Sequence, residues 1–237
     1  MIGGIEKNHG IGKWLVVILL LHLTYVASAQ VDFQKPDYEA IKEIVRDTSS
    51  YYHYPHLFAL YQAGDEQLDL KAYRMLYYGH LYERTYVSQS YSDYVSARLE
   101  LYALSKKKNL KGKKLERVIE LTKDNLKSNP FSISNLVILN IMLEKMGKKN
   151  EAKKYLTMAT GIRDAIMSTG DGRSDTTAYH ISNIEHEYDM LWVLDLEFTG
   201  ERKLTSNNCD YTKVKQNEEG IEGVYFNVQR IYSNKED

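Results

Sequence analysis

Residues 115–167 read LERVIELTKDNLKSNPFSISNLVILNIMLEKMGKKNEAKKYLTMATGIRDAIM, and this stretch decides the fold. Leu115, Val118, Ile119, Thr122 and Leu126 recur at helical spacing and stop at Asn129-Pro130. Leu136, Leu139 and Leu143 form a second stripe that ends at Met146-Gly147, and Ala152, Leu156, Ala159 and Ile162 form a third. Three consecutive amphipathic helices with short connections predict helix pairs packed side by side. They are scaffold and carry no reaction.

Around this centre the composition is that of a folded chain. Hydrophobic residues make up 43% of 237, so a packed core is expected. The formal net charge is -1, which leaves no basic footprint for nucleic acid. Tyrosine is the unusual residue, at 20 against 5 phenylalanines. Its apolar body and polar tip suit half-buried helix faces and interfaces alike. Cys209 is the one cysteine, so no internal disulfide can form, and we read it as a packed thiol with Asp210 beside it opposing thiolate formation.

The first residues read as an address. Lys7 and Lys13 precede an apolar run of 13 residues from 14 to 26, followed by Ala27-Ser28-Ala29 and Gln30. A positive start, a short apolar core and a small-x-small site describe a secretory signal over residues 1–29. The run is well short of the roughly 20 residues a spanning helix needs, so a secreted or periplasmic protein with no membrane span after cleavage is expected.

Upstream of the central stretch, Pro36 opens a helix over residues 37–46 with Tyr38, Ile41, Ile44 and Val45 on one face. The aromatic run Tyr51-Tyr52-His53-Tyr54-Pro55-His56 marks a turn, after which Leu57, Leu60 and Tyr61 make a short helix closed by Gly64-Asp65. Asp69 precedes a third helix through Leu70, Tyr73, Leu76 and Tyr77 to Gly79, and a fourth is expected over 90–106. Six lysines around Gly112 read as a solvated connector. Beyond Met167 the turn-rich stretch 168–175 changes the pattern, and short β-branched and aromatic runs follow at 177–184, 188–198, 211–214 and 224–232. They predict a small antiparallel sheet packed on the helices. The fold class expected is α+β, with a signal peptide over 1–29, a helical region over 30–167 and a β-rich region over 168–237.

Two resemblances enter here. Gly147, Ala152, Leu156 and Ala159 fall at the glycine, alanine, large-apolar and alanine positions of a tetratricopeptide repeat, with Pro130, Leu136, Leu139 and Leu143 fitting the positions before them. The chain as a whole resembles the secreted proteins of domain of unknown function 4919, seen mostly in Bacteroidetes-type bacteria. At the front the likeness rests on Pro36-Asp37-Tyr38, the cluster from Tyr52 to Pro55, Gly64-Asp65, and Tyr73-Arg74 followed by Leu76-Tyr77-Tyr78-Gly79. At the back it rests on Gly170-Asp171-Gly172, Ala178-Tyr179-His180, Glu187-Tyr188, Cys209-Asp210-Tyr211 and Tyr225-Phe226-Asn227. Glu201-Arg202 after Gly200 departs from it, since a glutamine is looked for there. The resemblance implies no activity and no catalytic residues.

The sequence contains no Gly-x-Ser-x-Gly elbow, no His-Glu-x-x-His helix and no phosphate loop, and we assign no catalytic residue, metal or cofactor. Gly170-Asp171-Gly172 reads as a turn. His53, Tyr54, His56, Arg74, Tyr77, Tyr78 and His80 are the candidate binding residues, as the lining of a tyrosine-faced groove between the second and third helices. The functional expectation is a non-enzymatic binding or scaffold module for a protein or peptide partner in the cell envelope. The alternative is a hydrolase or metal-dependent enzyme using His180, His186 and Glu187, with Glu185 and Asp189 nearby. On a straight strand, His180 and His186 would stand about 20 Å apart, and the bland reading of these polar residues is a solvent-facing one.

Overall fold

A computed structural model describes residues 33–83 and 110–233. The stretches read as signal peptide (1–29) and fourth helix (90–106) lie outside them. Among the described residues the chain runs α1 (Tyr38–Arg46), α2 (Tyr54–Ala63), α3 (Leu70–Gly79), α4 (Lys113–Ser128), α5 (Ile133–Lys145), α6 (Lys149–Met167), β1 (Tyr179–His180), α7 (Glu185–Val193), β2 (Phe198–Leu204), β3 (Cys209–Val214), β4 (Gly223–Asn227) and α8 (Gln229–Ser233). The class is α+β.

Local chemistry sets the helix ends. Asp37 and Asp69 cap α1 and α3, accepting from the Ala40 and Ala72 amides at 3.1 and 2.8 Å. Between α5 and α6, Gly147 takes φ +76°, a conformation that costs glycine nothing. The Lys148 and Gly147 amides then donate back to the Leu143 and Glu144 carbonyls, each at 2.9 Å, and this Schellman closure turns the chain into an antiparallel helix pair. Ala152 and Ala159 are buried at that interface. Gly161 serves a different neighbour: a Cβ there would stand 2.1 Å from the Tyr73 ring, so its bare backbone is what lets α3 lie against α6.

The sheet order is β1-β4-β3-β2. β2 with β3 and β3 with β4 are antiparallel, but β1 runs parallel to β4, pairing Tyr179 with Phe226 and His180 with Asn227. The sheet is therefore mixed, where an antiparallel one was expected. The chain leaves β1 and comes back to it only through α7, β2 and β3, and that return sets the parallel direction. Of the expected strand over 177–184 only two residues pair. The expected strand over 188–198 is for the most part α7. Gly200, which falls between the expected strands 188–198 and 211–214, sits inside β2 at a register shift between Phe198 and Arg202, with φ +98°.

The core is continuous across the two halves. Ile41, Leu57, Tyr61, Leu76, Tyr77, Leu136 and Ile162 from the helices join Tyr179, Met190, Leu191, Val224 and Phe226 in one buried cluster. A second cluster of Leu115, Val118, Leu139, Leu143 and Ala152 holds α4, α5 and α6 together. Polar contacts from α7 finish the seam. Asp189, fully buried, accepts from the amides of Ile133 at 2.8 Å and Ser134 at 3.3 Å, while Ser132 Oγ accepts from Asn135. Three of the amides that the first turn of α5 leaves unpaired are thus satisfied, two of them by a carboxylate from a distant helix. Asp189→Ala should destabilise the fold by about 3 kcal/mol, because two buried amides lose a charged acceptor. Urea unfolding of the two proteins measures it, and a loss under about 0.5 kcal/mol would mean the cap contributes little.

Candidate functional site

The seven candidate binding residues do not share a groove. Tyr77 and Tyr78 are fully buried, and Tyr54 nearly so. Tyr77 Oη lies 2.6 Å from His186 Nδ1 and accepts from the Ser182 amide at 3.1 Å. Tyr78 donates to the His180 carbonyl at 3.0 Å. Arg74 donates to Ser168 Oγ and to the Gln34 carbonyl, the latter at 2.8 Å, and so clamps the chain ahead of α1 onto the end of α6. These four are corrections to the groove reading: i, i+3 and i+4 spacing put the tyrosines on one helical stripe, and that stripe is the one turned into the core. His53 precedes α2 as its N-cap residue, and His80 begins the single 3-10 turn His80–Tyr82 after α3.

What the structure does assemble is a set of tyrosine and histidine pairs, one fully buried and two half-buried. Tyr38 Oη lies 3.1 Å from His180 Nδ1, Tyr54 Oη 2.7 Å from His80 Nδ1, and Tyr77 Oη 2.6 Å from His186 Nδ1. Tyr77 Oη thus meets both the Ser182 amide and the His186 ring. Phe131 stands edge-on to His80 at 5.0 Å and touches Tyr61 and Tyr77, closing the aromatic centre. Burial pushes all three imidazoles down to about 4; the charge of His186 adds to this at His80, Lys35 and Arg74 add at His180, and Asp189 opposes it at His186. They are neutral packing groups at neutral pH.

The trio of the enzyme alternative is likewise dispersed. His180 faces Tyr38, His186 faces Tyr77, and Glu187 faces the sheet. All three are buried, as are Glu185 and Asp189, so the solvent-facing reading of this stretch is replaced as well. Among the described residues no group of three or more His, Cys, Asp or Glu side chains stands together as a metal site. Glu187 has company that sequence reasoning passed over. Asp210 and Thr212 are buried on one face of β3, Arg202 sits opposite Thr212 on β2, and α7 lays Glu187 over them. Thr212 donates to Glu187 at 3.3 Å, and Arg202 bridges Glu187 and Asp210 at 3.5 and 3.6 Å. Burial pushes the Glu187 carboxyl up to about 8, the Asp210 charge adds to this, and Arg202 opposes it. The one available signal was the Glu201-Arg202 departure after Gly200.

Cys209 points to the opposite face of β3, where burial and Asp175 push its thiol up to about 11, so the neighbouring carboxylate is Asp175 and not Asp210. The alternation of a strand separates the adjacent side chains.

The exposed member of the predicted set is His56, and it belongs to a different group. Tyr51, 54% exposed, meets Tyr52 at 5.3 Å and His56 at 5.4 Å, both edge-on. Lys71 lies 4.8 Å over the Tyr52 ring. The turn beneath is rigidly bonded: Asp47 Oδ1 accepts the Ser49 amide and hydroxyl at 2.9 and 2.7 Å, and Ser50 Oγ accepts the Tyr52 amide at 3.0 Å. Tyr51, Tyr52 and His56 thus form an aromatic corner at the surface, beside a hydrogen-bonded turn.

Comparison with known proteins bears on this chain at one point. The family described as Domain of unknown function (DUF4919) matches residues 39–237, and the chain belongs to it. No curated protein and no solved structure matches. Among the described residues no helix is long and apolar enough to cross a membrane.

The three imidazoles give the fold an acid limit. In the unfolded chain a histidine takes up its proton near pH 6.5, and here the folded value is about 4. Their contribution is fully present above pH 6.5 and is lost as pH falls through 4, amounting to about 3 kcal/mol for His186 alone. Urea midpoints should therefore fall steadily from about pH 7 to about pH 4.5, and a flat profile would exclude buried neutral imidazoles.

Proposed function

We propose that this member of the family is an exported, non-enzymatic binding module that docks a protein or peptide partner of the cell envelope at the corner formed by Tyr51, Tyr52 and His56. The observation that carries the reading is the contrast in burial. The chain sinks Tyr54, Tyr61, Tyr73, Tyr77 and Tyr78 into its core, yet leaves Tyr51 54% exposed on a turn tied down by Asp47 and Ser50. A rigid aromatic anchor loses little conformational freedom on binding, which is why such residues dominate interface energetics. Lys71 at the rim suits a partner with acidic or carbonyl groups beside its apolar contact.

Export rests on the positive start, short apolar run and Ala27-Ser28-Ala29 of the first 29 residues, and on the Bacteroidetes-type secreted proteins that the chain resembles. The tetratricopeptide-like spacing from Gly147 to Ala159 supports a scaffold role by fold-level analogy alone. The enzyme alternative has one feature in its favour, the Glu187 carboxyl that burial pushes up to about 8, and that group is fully buried.

The test is site-directed photocrosslinking in the native host, with a photoreactive aromatic residue at position 51 and, as control, at the equally exposed Leu204. A discrete envelope protein captured from position 51, absent from position 204, and lost when His56→Ala and Lys71→Ala are added is the expected result. Equal capture at the two positions, or none at 51, overturns the assignment. N-terminal sequencing of the exported chain should begin at Gln30.

A further inference from the structure

Under Arg202, two carboxyl groups meet in the interior. Glu187 is fully buried and Asp210 is 3% exposed. One oxygen of Glu187 is engaged, taking the Thr212 hydroxyl at 3.3 Å and Arg202 Nη1 at 3.5 Å. The other, Oε1, has no hydrogen-bond partner among the described residues, and neither has Asp210 Oδ2, whose nearest cation is Arg202 Nε at 3.6 Å. One guanidinium contacts both groups, Glu187 at 3.5 Å and Asp210 at 3.6 Å, so the two carboxyls are neighbours between α7 and β3. Two ionised carboxylates could only present lone pairs there. With one proton, the same atoms become donor and acceptor, and both are satisfied at once.

We infer that Glu187 and Asp210 share a single proton and form, with Arg202, a proton-binding site whose discharge loosens α7 from β3. The groups facing the pair are Tyr188 on α7, Arg202 on β2, Asp210 and the non-titrating Thr212 on β3, and Tyr232 on α8. With the proton in place, one negative charge is left for one guanidinium. Without it, two buried negative charges share that guanidinium, 33% exposed and held through β2, and the Tyr232 hydroxyl lies near the added charge. The repulsion of the two carboxylates falls between α7 and β3, which carry them, and Arg202 opposes it from β2.

Burial and Asp210 hold the Glu187 carboxyl up at about 8, against roughly 4.3 in an unfolded chain. A raised folded value means that stability from this site is fully present below about pH 4.3 and is lost as pH rises through 8. The window above pH 6.5 is separate from that of His80, His180 and His186, whose folded values are about 4.

The experiment is urea unfolding of the wild type, Glu187→Gln and Asp210→Asn from about pH 6 to about pH 9. An amide copies the protonated carboxyl and cannot discharge. In the wild type the unfolding constant should rise by up to roughly tenfold per pH unit below pH 8, and one of the two variants should lack that slope and outlast the wild type near pH 9. A slope unchanged in both variants overturns the proposal. If neither variant folds, infrared spectroscopy of the wild type decides: a protonated-carboxyl band at neutral pH that disappears above about pH 8 is expected, and its absence at neutral pH overturns the shared proton. Amide hydrogen exchange in α7 and β3 should quicken across the same range once corrected for intrinsic pH dependence. Unchanged protection there overturns the loosening.

Discussion

A phenol taken out of water needs a partner for its hydroxyl, and much of this architecture follows from that requirement. Leaving a buried hydroxyl unpaired costs on the order of 1–3 kcal/mol, and this chain buries tyrosine after tyrosine. Tyr61 finds the Pro130 carbonyl at 2.7 Å, Tyr78 the His180 carbonyl, Tyr77 the His186 ring and Ser182 amide, Tyr54 the His80 ring, and Tyr38 the His180 ring. Most of these partners lie far along the chain, in the loop after α4 or in the segment from β1 to α7. The tyrosines of the first three helices thus tie the helical part to the β-rich part at the level of single atoms. Two regions that read as separate in sequence share one core for this reason.

The complementary constraint comes from α7. Its acidic residues face inward, and the donors they meet are backbone amides and an asparagine: Asp189 holds the first turn of α5, and Glu185 accepts from Asn129. A buried carboxylate is tolerated only with such company. Glu187 is the exception, since it faces another carboxyl and an arginine. Burial and Asp210 hold its carboxyl well above the usual carboxylate range. Polar residues that a single glance assigns to solvent are here the fasteners between helix pair and sheet.

For function the division of labour among aromatic residues matters most. Those with hydroxyls engaged in the core cannot meet a partner without unfolding. Tyr51 and Tyr52 sit on a turn tied by Asp47 and Ser50, with His56 beside them on the first turn of α2. The proposed binding role therefore rests on this corner and not on the stripe of tyrosines along α3.

Much was legible in the residues alone. Caps at Asp37 and Asp69, the Gly64 and Gly147 stops and the leucine stripes of α4 to α6 are local signals acting over one or two turns, and they determine where those helices begin and end. Helix α7 escaped because its stop is written unconventionally. Asp195 occupies φ +56° where a glycine is usual, and the Leu196 and Asp195 amides close back on the Leu191 and Trp192 carbonyls at 2.8 and 3.2 Å. Without that glycine, a run rich in aromatic and branched residues looks extended. Periodicity likewise marked Tyr73, Tyr77 and Tyr78 as one stripe, but whether a stripe meets solvent or another helix depends on what lies opposite, here the bare backbone of Gly161 and the rings of Phe131 and His186. The meeting of Glu187 with Asp210 and Arg202 belongs wholly to tertiary structure. It joins residues of one helix and two strands through a register that no local spacing encodes, and only the folded sheet sets which of their charges keeps its proton.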